Sequence, residues 1–145
     1  MNILLTYNDK QREMQGWHWF DEITNLPDEK LSYCSLGLEQ ATVNKIFSEN
    51  VLDRLSPQDA AHAVRHWTKL LAHNGVLCLV VTDFEEVARN YQQMEFDMDM
   101  VNLRLGDRRS LHTLVQLVSV LKNSGLKIVM ARNEGLAAVI VARRE

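Results

Sequence analysis

Apolar positions carry the clearest message from Ser56 onwards. Ala60, Val64, Trp67 and Leu71 recur at helical spacing, and Ala61 and Leu70 widen the stripe. Ser56-Pro57-Gln58-Asp59 opens this helix with a serine cap, a proline at the first helical position and an acid in the first turn. His73-Asn74-Gly75 is the predicted stop, since asparagine and glycine tolerate the left-handed closing conformation. Val76 to Val81 is then apolar without alternation, which predicts a central parallel strand covered by helices on both faces. Asp83 can cap a short helix through about Tyr91, and residues 92–107, with Met94, Met98 and Met100, read as a loop or mobile segment. Ser110 is the predicted cap of a helix whose stripe is Leu111, Leu114, Val115, Val118 and Leu121, closed by Ser124-Gly125. Leu126 to Ala131 and Leu136 to Ala142 read as strands joined only by the turn Arg132–Gly135, an antiparallel hairpin.

Before Ser56 the pattern is rich in strands and poor in helices. Asn2–Thr6, Trp17–Phe20, Leu31–Leu36 and Val43–Ser48 are the predicted strands, and the aromatic run Trp17-His18-Trp19-Phe20 predicts partial burial. There is no internal repeat, low-complexity tract or linker, so the expectation is one α/β domain over residues 1–145.

Composition narrows the partners. Hydrophobic residues are 46% of the chain and charged residues 24%, with a net charge of −3, which leaves no electrostatic footprint for nucleic acid. No apolar run reaches the roughly 20 residues that span a bilayer, and the N-terminus lacks the pattern of a secretory signal, so the expected location is cytoplasmic. Cys34 and Cys78 are too few and too isolated for a disulfide framework or a zinc site. His62 and His66 lie four apart on the predicted helix, but no carboxylate or cysteine completes a metal site at known spacing. They are read as part of a solvated face with Lys69 and His73, and no metal is expected.

Several motifs together resemble the class I S-adenosylmethionine-dependent methyltransferases. They are K-I-F-S-E-N-V-L-D-R-L-S, a helix containing R-H-W-T-K-L-L, then N-G-V-L-C-L-V-V-T-D-F. The likeness is to a small subfamily whose fourth strand reads like D-E-I-Y-A-S-H-V-L-E-H-L, followed by E-W-x-R-V-L-K-P-G-G and a strand ending V-P-D-F. R-R-S-L through N-S-G-L-K-I-V is similar to that subfamily's last helix and turn, and I-L-L-T-Y-N-D with G-W-H-W-F-D to its opening L-N-L-G-C-G-N and G-W-I-N-V-D. The resemblance covers nearly the whole chain and is densest from Ile46 to Phe84. It implies a Rossmann-like, mostly parallel sheet ending in an antiparallel hairpin, with a reduced helix set.

Residue by residue, the resemblance places Thr6, Tyr7 and Asn8 in the glycine turn that wraps the methionine part of the cofactor. Only Asn8 approaches the family type; glycines there would bring the ligand against bare backbone. Asp21 stands where a carboxylate binds the ribose hydroxyls, and Ser35, followed by Leu36, where an acid lies near the adenine. Glu49 and Asn50 take the place of the family's S-H beside the acceptor, and Asp83 matches the aspartate of P-D-F. Two readings follow. In one, the chain is a methyltransferase that binds S-adenosylmethionine and methylates an oxygen or nitrogen of a small molecule or glycan, with Glu49 as general base. In the other, the loss of glycine leaves a catalytically silent homologue that binds another ligand, a protein partner or a second copy of itself.

Local readings also stay double at this point. Glu49, Asn50 and Asp53 follow a strand end, where α/β proteins bind ligands; equally, they form a polar loop in which Asp53 pairs with Arg54. Asp83 is a substrate contact or a helix cap. Trp17 and Trp19 face a ligand, a partner or the core. Arg108-Arg109 is a small anion site or a pair of surface arginines.

Overall fold

A computed structural model describes residues 1–6, 16, 18–21 and 32–145, with the backbone alone at 18–21. Six strands form one sheet: β1 (Asn2–Thr6), β2 (His18–Asp21), β3 (Val43–Glu49), β4 (Leu71–Thr82), β5 (Leu126–Glu134) and β6 (Ala137–Arg144). Their order is β2-β1-β3-β4-β6-β5. The first four are parallel, while β6 runs antiparallel to β4 and to β5. This is the expected mostly parallel sheet with its closing hairpin. Among the described residues there are four helices, α1 (Pro57–Leu70), α2 (Phe84–Gln92), α3 (Met98–Leu105) and α4 (Leu114–Asn123), with a 3-10 turn at Leu52–Arg54.

Helix α1 starts as its sequence dictates, with the Ser56 hydroxyl accepting from the Asp59 N–H at 3.2 Å and Pro57 in the first turn. It buries Ala60, Ala63, Val64, Trp67 and Leu70, leaving Ala61 on the exposed side of the predicted stripe. The helix ends at Leu70, three residues before the predicted stop. Leu71 turns extended and pairs with Val43, and the next pairing is Lys45 with Val76. Residues 72–75 therefore bulge out of the strand pair, with Asn74 at φ +62°. Gly75 serves close approach instead: a Cβ there would lie 2.8 Å from the Ala72 carbonyl oxygen and 3.0 Å from that of Val43. The freed Lys69 carbonyl accepts from the Ala41 N–H at 3.0 Å and from Arg144 at 3.3 Å.

Strand β4 differs from expectation in how it is covered. Leu77, Leu79 and Val81 are fully buried, whereas Val76, Cys78 and Val80 between them are only half-buried. The cause is that α1 and α4 pack on the same face: Val64, Trp67, Leu117 and Leu121 share one core with Leu77, Leu79, Ile140 and Ala142. Burial raises the Cys78 thiol above its ordinary value, with Glu134 adding to the shift.

Three further elements depart from the sequence reading. Ser32 to Ser35, within the predicted strand Leu31–Leu36, is a tight turn closed by Ser32 and Ser35 on each other (Leu31 lies outside the described residues). Residues 98–105, expected as loop, are helix α3, capped by Asp97 on the Met100 N–H at 2.9 Å. It buries none of its residues, so no apolar stripe announces it. Helix α4 is capped by Thr113 in a capping box with Gln116, and it buries Leu117 and Leu121 while Leu111 and Val115 stay exposed. Ser110, the predicted cap, is drawn inward to the Leu52 carbonyl at 2.9 Å.

The bulge gives a direct test. Gly75→Ala forces a backbone rearrangement and is expected to cost about 1–3 kcal/mol, the usual range for overpacking, whereas Asn74→Gly leaves stability nearly unchanged; urea denaturation of both variants measures the contrast.

Candidate functional site

Parallel strands β2, β1, β3 and β4 end side by side. Asp21 pairs in register with Thr6, Thr6 with Glu49, and Glu49 with Val80. The cofactor and acceptor positions implied by the resemblance therefore fall on one row at the C-terminal edge, where ligands of open α/β sheets bind. Asn50 follows at φ +56°, and its N–H donates to the Val80 carbonyl at 2.8 Å, so the chain turns off the sheet directly after Glu49. Glu49 and Asn50 are both half-buried. Tyr7, Asn8 and Trp17 lie outside the described residues, as do the side chains of Asp21 and Trp19.

On the side that the resemblance assigns to the adenine, the backbone is already committed. Tyr33 is fully buried, and its hydroxyl donates to the Thr6 carbonyl. The Tyr33 carbonyl accepts from the Trp67 indole N–H at 2.8 Å. The Cys34 thiol donates to the Asp59 carbonyl at 3.2 Å, and the Leu36 N–H donates to His66 Nε2 at 2.9 Å. The Ser35 N–H is taken by the Ser32 carbonyl at 2.8 Å. Residues 32–36 thus form a strap held against α1, with Leu36 buried in the core and Ser35 exposed. His66 is consequently no member of a solvated face: it is half-buried and spends the nitrogen a metal would need on Leu36. Among the described residues no group of three metal-ligating side chains converges.

The side that the resemblance assigns to the acceptor is built around two buried carboxylates. Asp83 caps α2 by accepting from the Glu85 N–H at 2.9 Å, and its other oxygen accepts from Asn133 Nδ2 at 2.7 Å and the Leu114 N–H at 3.3 Å. Only 1% of it is exposed, so it joins α2, α4 and the hairpin. Asp53 is equally buried and pairs with Arg108, whose Nε stands 2.8 Å from Oδ2. The alignment is poor enough that neither group completes a hydrogen bond there, and the contact is chiefly Coulombic. Burial raises the Asp53 carboxyl above its ordinary value; Arg108, the Thr82 backbone, Arg54 and His112 pull it back only in part. Arg54, the expected partner of Asp53, pairs instead with Asp107.

Sequence reasoning missed Ser110 and His112, which lock this corner. Ser110 Oγ lies 2.9 Å from the Leu52 carbonyl oxygen, to which its hydroxyl donates, and 2.8 Å from His112 Nε2. Both side chains are buried, and the pair ties residues 110–112 to the turn at Leu52. Burial of both residues is the only sign of the pair, and no sequence spacing announces it.

This architecture is the class I methyltransferase fold. An O-methyltransferase family protein from Burkholderia thailandensis is similar, with a TM-score of 0.62 and 14% identity over 89% of this chain and 36% of that one. A magnesium protoporphyrin IX methyltransferase from Synechocystis, solved with bound SAH, gives a TM-score of 0.57 and 12% identity over 89% of this chain and 52% of that one. A Haloferax volcanii complex between a methyltransferase activator and its methyltransferase gives a TM-score of 0.63 and 7% identity over 98% of this chain and 81% of that one. At such identities the likeness is one of fold, and the chain spans only about a third to a half of the first two proteins. No protein-family model matches the sequence, and no curated protein matches it.

The strap makes a pH-dependent prediction. His66 must be neutral to accept from Leu36, and burial, aided by Lys69, lowers its pKa below the ordinary histidine value. A lowered folded value means that the stabilisation is complete above the unfolded pKa, about 6.5, and is lost as pH falls through the folded one. The stability of the native protein relative to His66→Gln, which keeps an acceptor and does not titrate, should therefore decline as pH falls below about 6.5. Thermal melts across that range check it, and a constant difference contradicts it.

Proposed function

We propose that this chain is a catalytically silent methyltransferase homologue, a binding module that keeps the sheet and has given up the cofactor. The observation that carries this reading is the strap. The resemblance assigns Ser35 and Leu36 to the adenine, yet both of their backbone N–H groups are spent, on Ser32 and on His66, and the Thr6 carbonyl already accepts from Tyr33. A nucleoside that used the Leu36 N–H would have to take it from His66, and a buried group left unpaired costs about 1–3 kcal/mol. The described residues on this side do not fit S-adenosylmethionine, and no methyl-transfer step is derived through it. A protein partner suits the exposed Met94, Met98 and Leu103 on and beside α3, a helix that buries nothing of its own.

The register row favours a second reading, in which the chain methylates an oxygen or nitrogen of a small molecule or glycan. Asp21, Thr6 and Glu49 stand adjacent at the strand ends, where a ribose-binding carboxylate and a general base belong.

Calorimetric titration with S-adenosylhomocysteine separates the two. The silent reading expects no heat up to roughly millimolar ligand. Binding in the micromolar range that Asp21→Ala abolishes would overturn it and establish the second.

A further inference from the structure

We propose that the cleft between α3 and the start of β6 is a binding site for a small phosphate monoester, and that Asp107 occupies its anion position when the ligand is away. The cleft has a volume of about 540 Å³ and is lined by Arg54, Arg104, Arg108, Asp107, Glu134 and Thr82, with Leu103, Leu136 and Ala137 as its apolar wall. It opens beyond the C-terminal end of β4, on the ligand side of the sheet. Its volume is that of a small-molecule site.

The charges are unevenly matched. Asp53 lies behind the cleft and holds Arg108 by Nε, while Thr82 Oγ1 accepts from the same guanidinium at 3.1 Å. With the Thr82 hydrogen bond on NH2 and Asp53 beside Nε, the NH1 edge of Arg108 faces Asp107 at 3.2 Å. Glu134 is taken by Arg132, with Nε to Oε1 at 2.8 Å. The carboxylate of Asp107 is thus left to both Arg54 and Arg108, while it remains 61% exposed. Arg104, one turn back on α3, is exposed and has no ion-pair partner among the described residues.

Two guanidiniums converging on one exposed carboxylate form the fork that binds planar or tetrahedral oxyanions. A carboxylate ligand would gain little by displacing Asp107, which offers the same group at high effective concentration. A phosphate monoester brings a second charge and three terminal oxygens, one for each of Arg54, Arg104 and Arg108. Its organic remainder would lie on Leu103, Leu136 and Ala137. This site does not depend on whether S-adenosylmethionine binds, since it shares no residue with the strap or with the row at Thr6.

Titration with phenyl phosphate and with benzoate, followed by NMR shifts of the arginine Nε–H groups at low salt, tests the proposal. Phenyl phosphate should bind at least about tenfold more tightly than benzoate and move the Arg54, Arg104 and Arg108 signals. Asp107→Asn should tighten phenyl phosphate about tenfold by removing the resident anion, and Arg104→Ala should weaken it by a similar factor. Both positions are exposed, so melting curves should confirm an unchanged fold. Equal affinity for the two probes would overturn the proposal, as would an affinity indifferent to Asp107→Asn or to Arg104→Ala.

Discussion

A fully buried indole sets the frame of this molecule. Trp67 is 0% exposed, so its N–H must find an acceptor inside the protein, and the acceptor is the Tyr33 carbonyl. That bond fixes residues 32–36 against α1, where the Leu36 N–H and the Cys34 thiol find His66 and the Asp59 carbonyl. Tyr33 carries the constraint onward, because its hydroxyl closes on the Thr6 carbonyl at the end of β1. One tryptophan therefore links the main helix, the segment before β3 and the strand end at which a methyltransferase would hold its cofactor. The packing that stabilises the core is also what consumes the polar groups of the cleft.

At the other end of the row, polarity is buried instead of consumed. Asp53 and Arg108 pair at a cost, since the carboxylate is so desolvated that its pKa rises despite the arginine beside it. Such a pair contributes little net stability, but it determines where Arg108 points. Further bonds pin the same loop: the Arg109 N–H donates to the Asp53 carbonyl at 2.8 Å, and Ser110 holds Leu52. The arginine cleft is the surface expression of this buried charge. The two halves of the sheet edge thus differ, one filled by its own chain and the other lined by three arginines with Asp107 and Glu134.

How legible a feature was depended on whether its hydrogen bonds are local. The Ser56-Pro57 start is written in neighbouring residues and stands where the pattern put it; the hairpin is also present, but β5 runs on to Glu134, so the turn is Gly135-Leu136 and not Arg132–Gly135. Residues 32–36 look like a strand because Leu36 and Tyr33 are apolar and buried, but their partners are side chains of α1 and not another strand. Ser110 has the chemistry of a cap and lost that role to Thr113 because the Leu52 carbonyl, buried nearby, needed a donor. Helix α3 rests on a single cap and buries nothing, so periodicity had nothing to report. Asp53 has Arg54 as its sequence neighbour and Arg108 as its spatial one, a choice that only the fold makes. The row of Asp21, Thr6 and Glu49 was legible through resemblance, and the register brings those positions together.

The claim on which the functional reading turns is that the Leu36 N–H is spent on His66. Amide hydrogen exchange at Leu36, followed by NMR with and without S-adenosylhomocysteine, addresses it directly. The account predicts a strongly protected amide at neutral pH whose exchange rate and chemical shift do not respond to the ligand. A rapidly exchanging Leu36, or one whose resonance moves as the ligand is added, would contradict it.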